Sequence, residues 1–216
     1  MSTELRRVTE RAVREALEKH PTRNPTVLGV LLAAGESTRF GTENKLLAEV
    51  DGTPLVRHAA RTLLDSRVSS VVAVLGHQQG AVRDALSDGE LVFAANEEYE
   101  QGMSTSVRRG VVAATEMDAA AAVFLPGDMP FVDAATVDLL LDAYRADIAD
   151  AVAPIHRGQR GNPVLFDRRY FASLRSVSGD VGGRGVLLES DGLLIETDDA
   201  GTVSDIDTQA DLESRG

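Results

Sequence analysis

Between residues 27 and 41 an apolar run, Val27-Leu28-Gly29-Val30-Leu31-Leu32-Ala33, empties into the loop Ala34-Gly35-Glu36-Ser37-Thr38-Arg39-Phe40-Gly41, and Lys45 follows closely. An unbroken Val/Leu run of this length is a buried strand, of the kind that parallel sheets cover on both faces. The loop after it has no bulky side chain before Glu36, so its backbone amides can lie against a ligand. Bare amides with Arg39 and Lys45 nearby suit phosphate. An ordinary strand-to-helix turn is the other reading of the same residues.

The rest of the chain alternates in the same way. Residues 68–75, 91–95 and 120–125 read as strands. Residues 53–65, 78–86, 104–116 and the stretch after Asp133 read as helices, with Thr53 and Asp133 as N-caps and Pro54 at a first helical position. Val137, Leu140, Leu141 and Tyr144 form the apolar stripe of that last helix. Such alternation means βαβ units and a mostly parallel sheet. The last third differs. Residues 151–155 and 162–166 flank the polar turn 156–161 and read as a small β-hairpin insertion. A brief helix at 170–174, a Gly-rich loop at 178–185, a strand at 193–197, the acidic turn 203–208 and a final helix follow. Ahead of the first strand, residues 2–20 carry Leu5, Val8, Ala12, Val13, Ala16 and Leu17 on one helical stripe, with Ser2 to cap it and Pro21 and Pro25 to end it. The expected organisation is an amphipathic helix and linker over 1–25, then one domain over 26–216.

Composition narrows the chemistry. The chain has no cysteine, so thiolate metal sites, Cys nucleophiles and disulfides are excluded, in keeping with a reducing cytoplasm. No apolar run approaches the roughly 18–20 residues that span a bilayer, and the N-terminus is not signal-like, so neither a membrane nor secretion is expected. A net charge of −12 argues against nucleic acid as a partner. Lys19 and Lys45 are the only lysines, and with abundant Asp the pattern suggests a halophilic surface screened by salt. It also makes Lys45 conspicuous.

In an open α/β sheet, ligands sit beyond the carboxyl ends of the strands. The loop after residue 33 and the turn Pro126-Gly127-Asp128 both lie there. One offers amides and cations, the other a carboxylate on a tight turn. Phosphates beside a carboxylate call for a divalent cation, most simply Mg²⁺, and Asp205 or Asp207 can complete its site. Asp128 could instead stabilise its turn, and the Asp205–Asp207 pair could cap the final helix.

These segments resemble one family. Leu32-Ala33-Ala34-Gly35-Glu36-Ser37-Thr38-Arg39-Phe40-Gly41 with Lys45 is similar to the opening motif of the sugar-nucleotide-like nucleotidyltransferases. Gly102-Met103-Ser104-Thr105-Ser106-Val107-Arg108-Arg109-Gly110, Gly127-Asp128-Met129-Pro130, Gly161-Asn162-Pro163-Val164, Gly179-Asp180-Val181-Gly182 and Asp205-Ile206-Asp207-Thr208 resemble, in order, motifs of the molybdenum cofactor cytidylyltransferase branch. The resemblance covers residues 27–213 and implies a three-layer Rossmann-like nucleotidyltransferase fold. It implies a Mg²⁺-dependent transfer of CMP from CTP to a molybdopterin-type cofactor, with release of pyrophosphate, and molybdoenzymes or insertion chaperones as partners. Leu32, Ala33, Ala34, Gly35, Ser104 and Ser106 would contact nucleotide, with Arg39, Lys45 and Asp128 both binding and catalysing. Asp128 and Asp207 would hold the metal, and Asn162, Pro163, Gly179 and Asp180 the acceptor. Guanylyltransferases of the family tend to have Gly where this chain has Ala34, which favours CTP over GTP, although one methyl is usually worth only about 1–3 kcal/mol of discrimination. GTP, another small phosphorylated acceptor, or a non-catalytic nucleotide- or cofactor-binding role are the alternatives. Ser104 and Ser106 could equally be helix N-caps.

Other polar residues read more plainly. His20, His58, His77 and His156 lack metal-ligand spacing, although His77 could touch nucleotide. Glu97, Glu98 and Glu100 read as a solvated acidic patch. Arg157 and Arg160 flank a turn where an anionic acceptor could bind, with surface ion pairing as the plainer account.

Overall fold

In the computed structural model, residues 5–19, 24–36, 40, 44–179 and 182–213 are described. Their centre is a sheet whose strands run in the order β1-β11-β8-β10-β7-β2-β5-β6. At its middle β2 (Val27–Ala33) lies between β5 (Ser70–Leu75) and β7 (Ala121–Pro126), parallel to both, with β6 (Leu91–Ala95) parallel at the edge. Val27, Leu31 and Ala33 point into one core cluster, and Leu28, Val30 and Ala34 into the other. Both faces are therefore dry, which is why the strand has no polar alternation.

Helices α2 (Leu55–Leu64), α3 (Gln79–Ala85) and α5 (Ala134–Arg145) cover one face. Helices α4 (Met103–Glu116), α6 (Phe171–Arg175) and α7 (Arg184–Glu189) cover the other. Helix α4 comes very close to the sheet: a Cβ on its Gly110 would lie 2.6 Å from Val30 Cγ1 and 3.1 Å from Phe124.

The hairpin expected over 151–166 is present and is part of the sheet itself. Strand β8 (Ala151–His156) turns back through the short β9 (Gln159–Arg160), and β10 (Val164–Asp167) wedges between β8 and β7, antiparallel to both. Strand β11 (Leu193–Glu196) pairs parallel with β8.

Three local expectations need correction. Residues 6–9 are not helical: β1 (Arg6–Thr9) pairs parallel with β11, and the helix α1 (Glu10–Lys19) begins only at Glu10 and packs on α5. Thr53 does not cap α2, because Thr53–Pro54 form β4, a two-residue ribbon with β3 (Glu49–Val50). Asp133 occupies the cap position of α5 without a side-chain cap bond. The start of the helix is instead tied to Asp199, whose Oδ2 accepts from Asp133 N–H at 3.0 Å and from the Thr136 hydroxyl at 2.7 Å. Ser2 and Pro21 lie outside the described residues. No helix among the described residues is long and apolar enough to cross a membrane.

Candidate functional site

The carboxyl ends of β2, β5, β6 and β7 converge on one cavity of about 420 Å³, lined by Leu32, Ala34, Gly35, Tyr99, Ser106 and the charged group around Lys45. The Leu32 carbonyl accepts from Gly127 N–H at 2.9 Å, and the Ala34 carbonyl from His77 N–H at 3.1 Å. These two carbonyls are thus spent on the turns after β7 and β5. The cavity end nearest β5 is tightly built. A Cβ on Gly76 would fall 2.7 Å from Tyr99 Cβ and 2.8 Å from both Ala34 Cβ and the Ala34 carbonyl oxygen, so only glycine fits there.

At the other end lies the charged group. Lys45 opens a single 3₁₀ turn, Lys45–Leu47, whose first free amide, Leu46 N–H, is accepted by the Asn44 side chain at 3.1 Å. Its Nζ donates to Asp128 Oδ2 at 2.6 Å and to Asp207 Oδ1 at 2.8 Å. All three side chains are mostly buried, at 14%, 19% and 24% exposure. Burial alone would lower the lysine pKa, but the charges and hydrogen bonds of Asp128 and Asp207 outweigh it and hold the ammonium above its usual 10.5. Asp128 Oδ1 is buried with no hydrogen-bond partner among the described residues.

The closing segment is anchored where it must be. Ile206 N–H donates to the Asp128 carbonyl at 3.0 Å, which brings Asp207 to Lys45. The last helix, α8 (Gln209–Glu213), is capped by a reciprocal pair instead of by Asp205 or Asp207. Asp211 Oδ2 accepts from Thr208 N–H at 2.8 Å, and Thr208 Oγ1 accepts from Asp211 N–H at 3.2 Å. Asp205 is exposed and lines the same cavity.

A second cavity, about 470 Å³, lies beyond Leu32, Met103 and Pro126, which belong to the walls of both. It is mainly apolar, through Val107, Phe124 and Phe166, and its polar wall holds Asn162, Arg160 and Arg184. Arg160 meets no carboxylate among the described residues, so the expected surface pairing does not form. Burial and then the neighbouring charge of Arg184 push its guanidinium below the usual range, although at neutral pH arginine keeps its charge.

Thus Leu32, Ala34, Gly35, Lys45, Ser106, Asp128 and Asp207 share one cavity, and Asn162 faces its neighbour. Ala33 turns its side chain into the core, and Ser104 and Pro163 are buried off both walls. Gly179 is exposed, at φ +69°. Neither Ser104 nor Ser106 is an N-cap, since α4 begins at Met103 with Gly102 as its cap. Arg39 and Asp180 lie outside the described residues. His77 packs its ring against Tyr99, 6.0 Å between centroids, and does not line the cavity, whereas Glu100 does. Tyr99, Met103 and Arg184 are wall residues that the sequence reading missed. Only Arg184 gave a signal, as the one cation in the Gly-rich stretch 182–185.

A mostly parallel α/β sheet with a lysine–carboxylate clamp at its carboxyl edge, and two adjoining cavities, is an arrangement suited to nucleotides and their phosphates. The MobA-like NTP transferase domain matches residues 29–193, and the chain belongs to that family. It is a nucleotidyltransferase, as the motifs imply. Among relatives, nicotine blue oxidoreductase of Paenarthrobacter nicotinovorans is 32% identical, over 85% of this chain and 93% of its own. A probable molybdenum cofactor guanylyltransferase of Natronomonas pharaonis is 32% identical over 58% and 60%. The molybdenum cofactor cytidylyltransferase of Escherichia coli is 26% identical over 85% and 92%. The crystal structure of Rv0371c from Mycobacterium tuberculosis H37Rv superimposes with a TM-score of 0.74 at 25% identity, covering 88% of this chain and 97% of that one.

Proposed function

We propose that the protein transfers CMP from CTP to the phosphate of a molybdopterin-type cofactor, with Mg²⁺, and releases pyrophosphate. The observation that carries this reading is the Lys45 bridge between Asp128 and Asp207, set beside the partition between two cavities. The first cavity takes the nucleotide and the second the acceptor. An ionised acceptor oxygen attacks the α-phosphorus, and the bond to the β-phosphate oxygen breaks as the new one forms. Pyrophosphate leaves with the bonding pair, and no general base is needed because the nucleophile is already ionised. Catalysis is positioning and charge stabilisation. Lys45, protonated throughout the neutral range, supplies positive charge to the phosphates. The amides of Ala33 to Gly35 cradle the triphosphate, and Arg39 joins them on the strength of the motif alone. Arg160, Arg184 and Asn162 suit an anionic acceptor with a flat apolar body; Pro163, Gly179 and Asp180 enter by motif.

A divalent cation fits the residues present. Asp128 Oδ1 is a buried acceptor that receives no hydrogen bond among the described residues, and Asp207 stands beside it on the same lysine. Asp128 and Asp207 would hold Mg²⁺, which would act as a Lewis acid toward phosphate oxygens. CTP is favoured because Ala34 stands where guanylyltransferases of the resembling family tend to carry Gly.

Pyrophosphate release from each of the four nucleoside triphosphates, with and without molybdenum cofactor, tests the reading. Acceptor-dependent release from CTP supports it, and preference for GTP supports the guanylyltransferase alternative. Tight binding without turnover supports a non-catalytic binder. The similarity to nicotine blue oxidoreductase, over 85% of this chain and 93% of that one, favours a second reading, an oxidoreductase, and consumption of a reduced nicotinamide in the absence of triphosphate would support it.

A further inference from the structure

Asn96, just past β6, is 5% exposed, and every hydrogen-bonding group of its side chain is committed. Its carboxamide oxygen accepts from Glu98 N–H at 3.1 Å. Its amino group donates to Thr105 Oγ1 at 2.8 Å and to Ser106 Oγ at 3.1 Å. A backbone N–H can only donate, so the Glu98 contact determines which end of the carboxamide is oxygen. The polarity then propagates. Thr105 passes its own hydroxyl hydrogen to the Gly102 carbonyl at 2.9 Å. Ser106 receives a hydrogen from Asn96, while its own O–H has no acceptor among the described residues. Ser106 is 6% exposed, and the opening it faces is the first cavity.

The position along the sheet says which part of a nucleotide meets it. Asn96 follows β6 and Asp128 follows β7, three strands away in the order β7-β2-β5-β6. At about 4.8 Å per strand, the two lie roughly 14 Å apart across the edge. With the phosphates at Lys45, Ser106 stands at the nucleoside end.

We infer that Asn96 sets the hydrogen-bond polarity of the nucleotide site: by donating to Ser106 it turns the serine O–H into the cavity as a donor, which selects a base with an acceptor at that point, a pyrimidine carbonyl or ring nitrogen. Ser106 touches the base, and Asn96 is a positioning residue acting through it. This inference rests on the first cavity being the nucleotide site.

The test is calorimetric binding of CTP, UTP, ATP and GTP with Mg²⁺, which needs no turnover. Ser106→Ala weakens CTP binding about five- to tenfold, the worth of one neutral hydrogen bond. Asn96→Asp is isosteric but offers Ser106 an acceptor, drawing the O–H back from the cavity, and weakens CTP binding to a similar extent. In the Ser106→Ala background Asn96→Asp adds nothing, because its effect runs through the missing hydroxyl. The losses fall on the pyrimidine nucleotides. CTP binding unchanged in Ser106→Ala, an Asn96→Asp penalty equal in both backgrounds, or equal losses for all four nucleotides would each overturn the inference while the transferase reading stands. Failure of the unaltered protein to bind any nucleotide overturns both. If Asn96→Asp does not fold, Ser106→Ala alone decides.

Discussion

Replacing Lys45 with Met keeps the length of the side chain and its apolar stem but removes the charge. Asp128 Oδ2 and Asp207 Oδ1 sit 2.6 and 2.8 Å from one nitrogen, so without it two carboxylates face each other across a largely buried gap. At a separation of about 5 Å and an effective dielectric constant of about 20, their repulsion is about 3 kcal/mol. Relaxation and entering water reduce that to about 2 kcal/mol, which lowers the melting temperature of a chain this size by about 4–8 °C. Millimolar Mg²⁺ between the carboxylates recovers most of the loss, and so stabilises Lys45→Met more than the unaltered protein. Turnover falls by about 10²–10³-fold, the usual cost of removing a charge-stabilising group from a transition state. The assay is a thermal melt with and without Mg²⁺, beside pyrophosphate release. An unchanged melting temperature, a loss that Mg²⁺ leaves untouched, or full turnover would refute the clamp.

Four further outcomes are expected. The Lys45 pKa is raised on folding, so the bridge contributes fully below the ordinary lysine value of 10.5 and is lost as pH rises through the higher folded value. The melting-temperature gap between the unaltered protein and Lys45→Met is therefore flat from neutral pH to about 10 and narrows only in stronger alkali. Ala34→Gly, which introduces the residue that guanylyltransferases of the resembling family tend to carry, shifts the CTP/GTP ratio of kcat/KM toward GTP by about tenfold, a ratio that two parallel assays measure directly. Arg160→Ala raises KM for the acceptor at least about fivefold while KM for the triphosphate stays put, because only the second cavity loses a cation. With a net charge of −12, stability rises with added salt, and equal melting temperatures in dilute buffer and molar salt would contradict a halophilic surface.

The strands that build the site were legible because burial on both faces writes itself as a run of small and apolar residues without polar alternation, as in 27–33, 71–75 and 121–125. Strand β1 was not legible. Arg6, Arg7 and Thr9 are exposed at the sheet's edge, so no alternation marks a strand, while Leu5, Val8 and Ala12 fall by chance on a helical stripe. Its pairing with β11, far along the chain, decides the matter. The tie at the start of α5 was hidden for a similar reason, since Asp199 reaches Asp133 from 66 residues away and no local pattern announces that. At the site, Lys45, Asp128 and Asp207 could be named because each belongs to a short motif of its own. Asn96 lies outside every motif, and its importance rests on three contacts that only folding creates.

The Lys45–Asp207 bridge joins positions 162 residues apart, near the two ends of the domain. During synthesis at about 5–20 residues per second, the lysine leaves the ribosome roughly 8–30 s before its second carboxylate exists. For that interval the nascent chain can assemble β2, β5, β6 and β7 and wall the first cavity, yet it carries an incomplete clamp. On the proposed reading, triphosphate chemistry would start only once the C-terminal segment has docked on the Asp128 turn, and a half-made chain would not consume nucleotide.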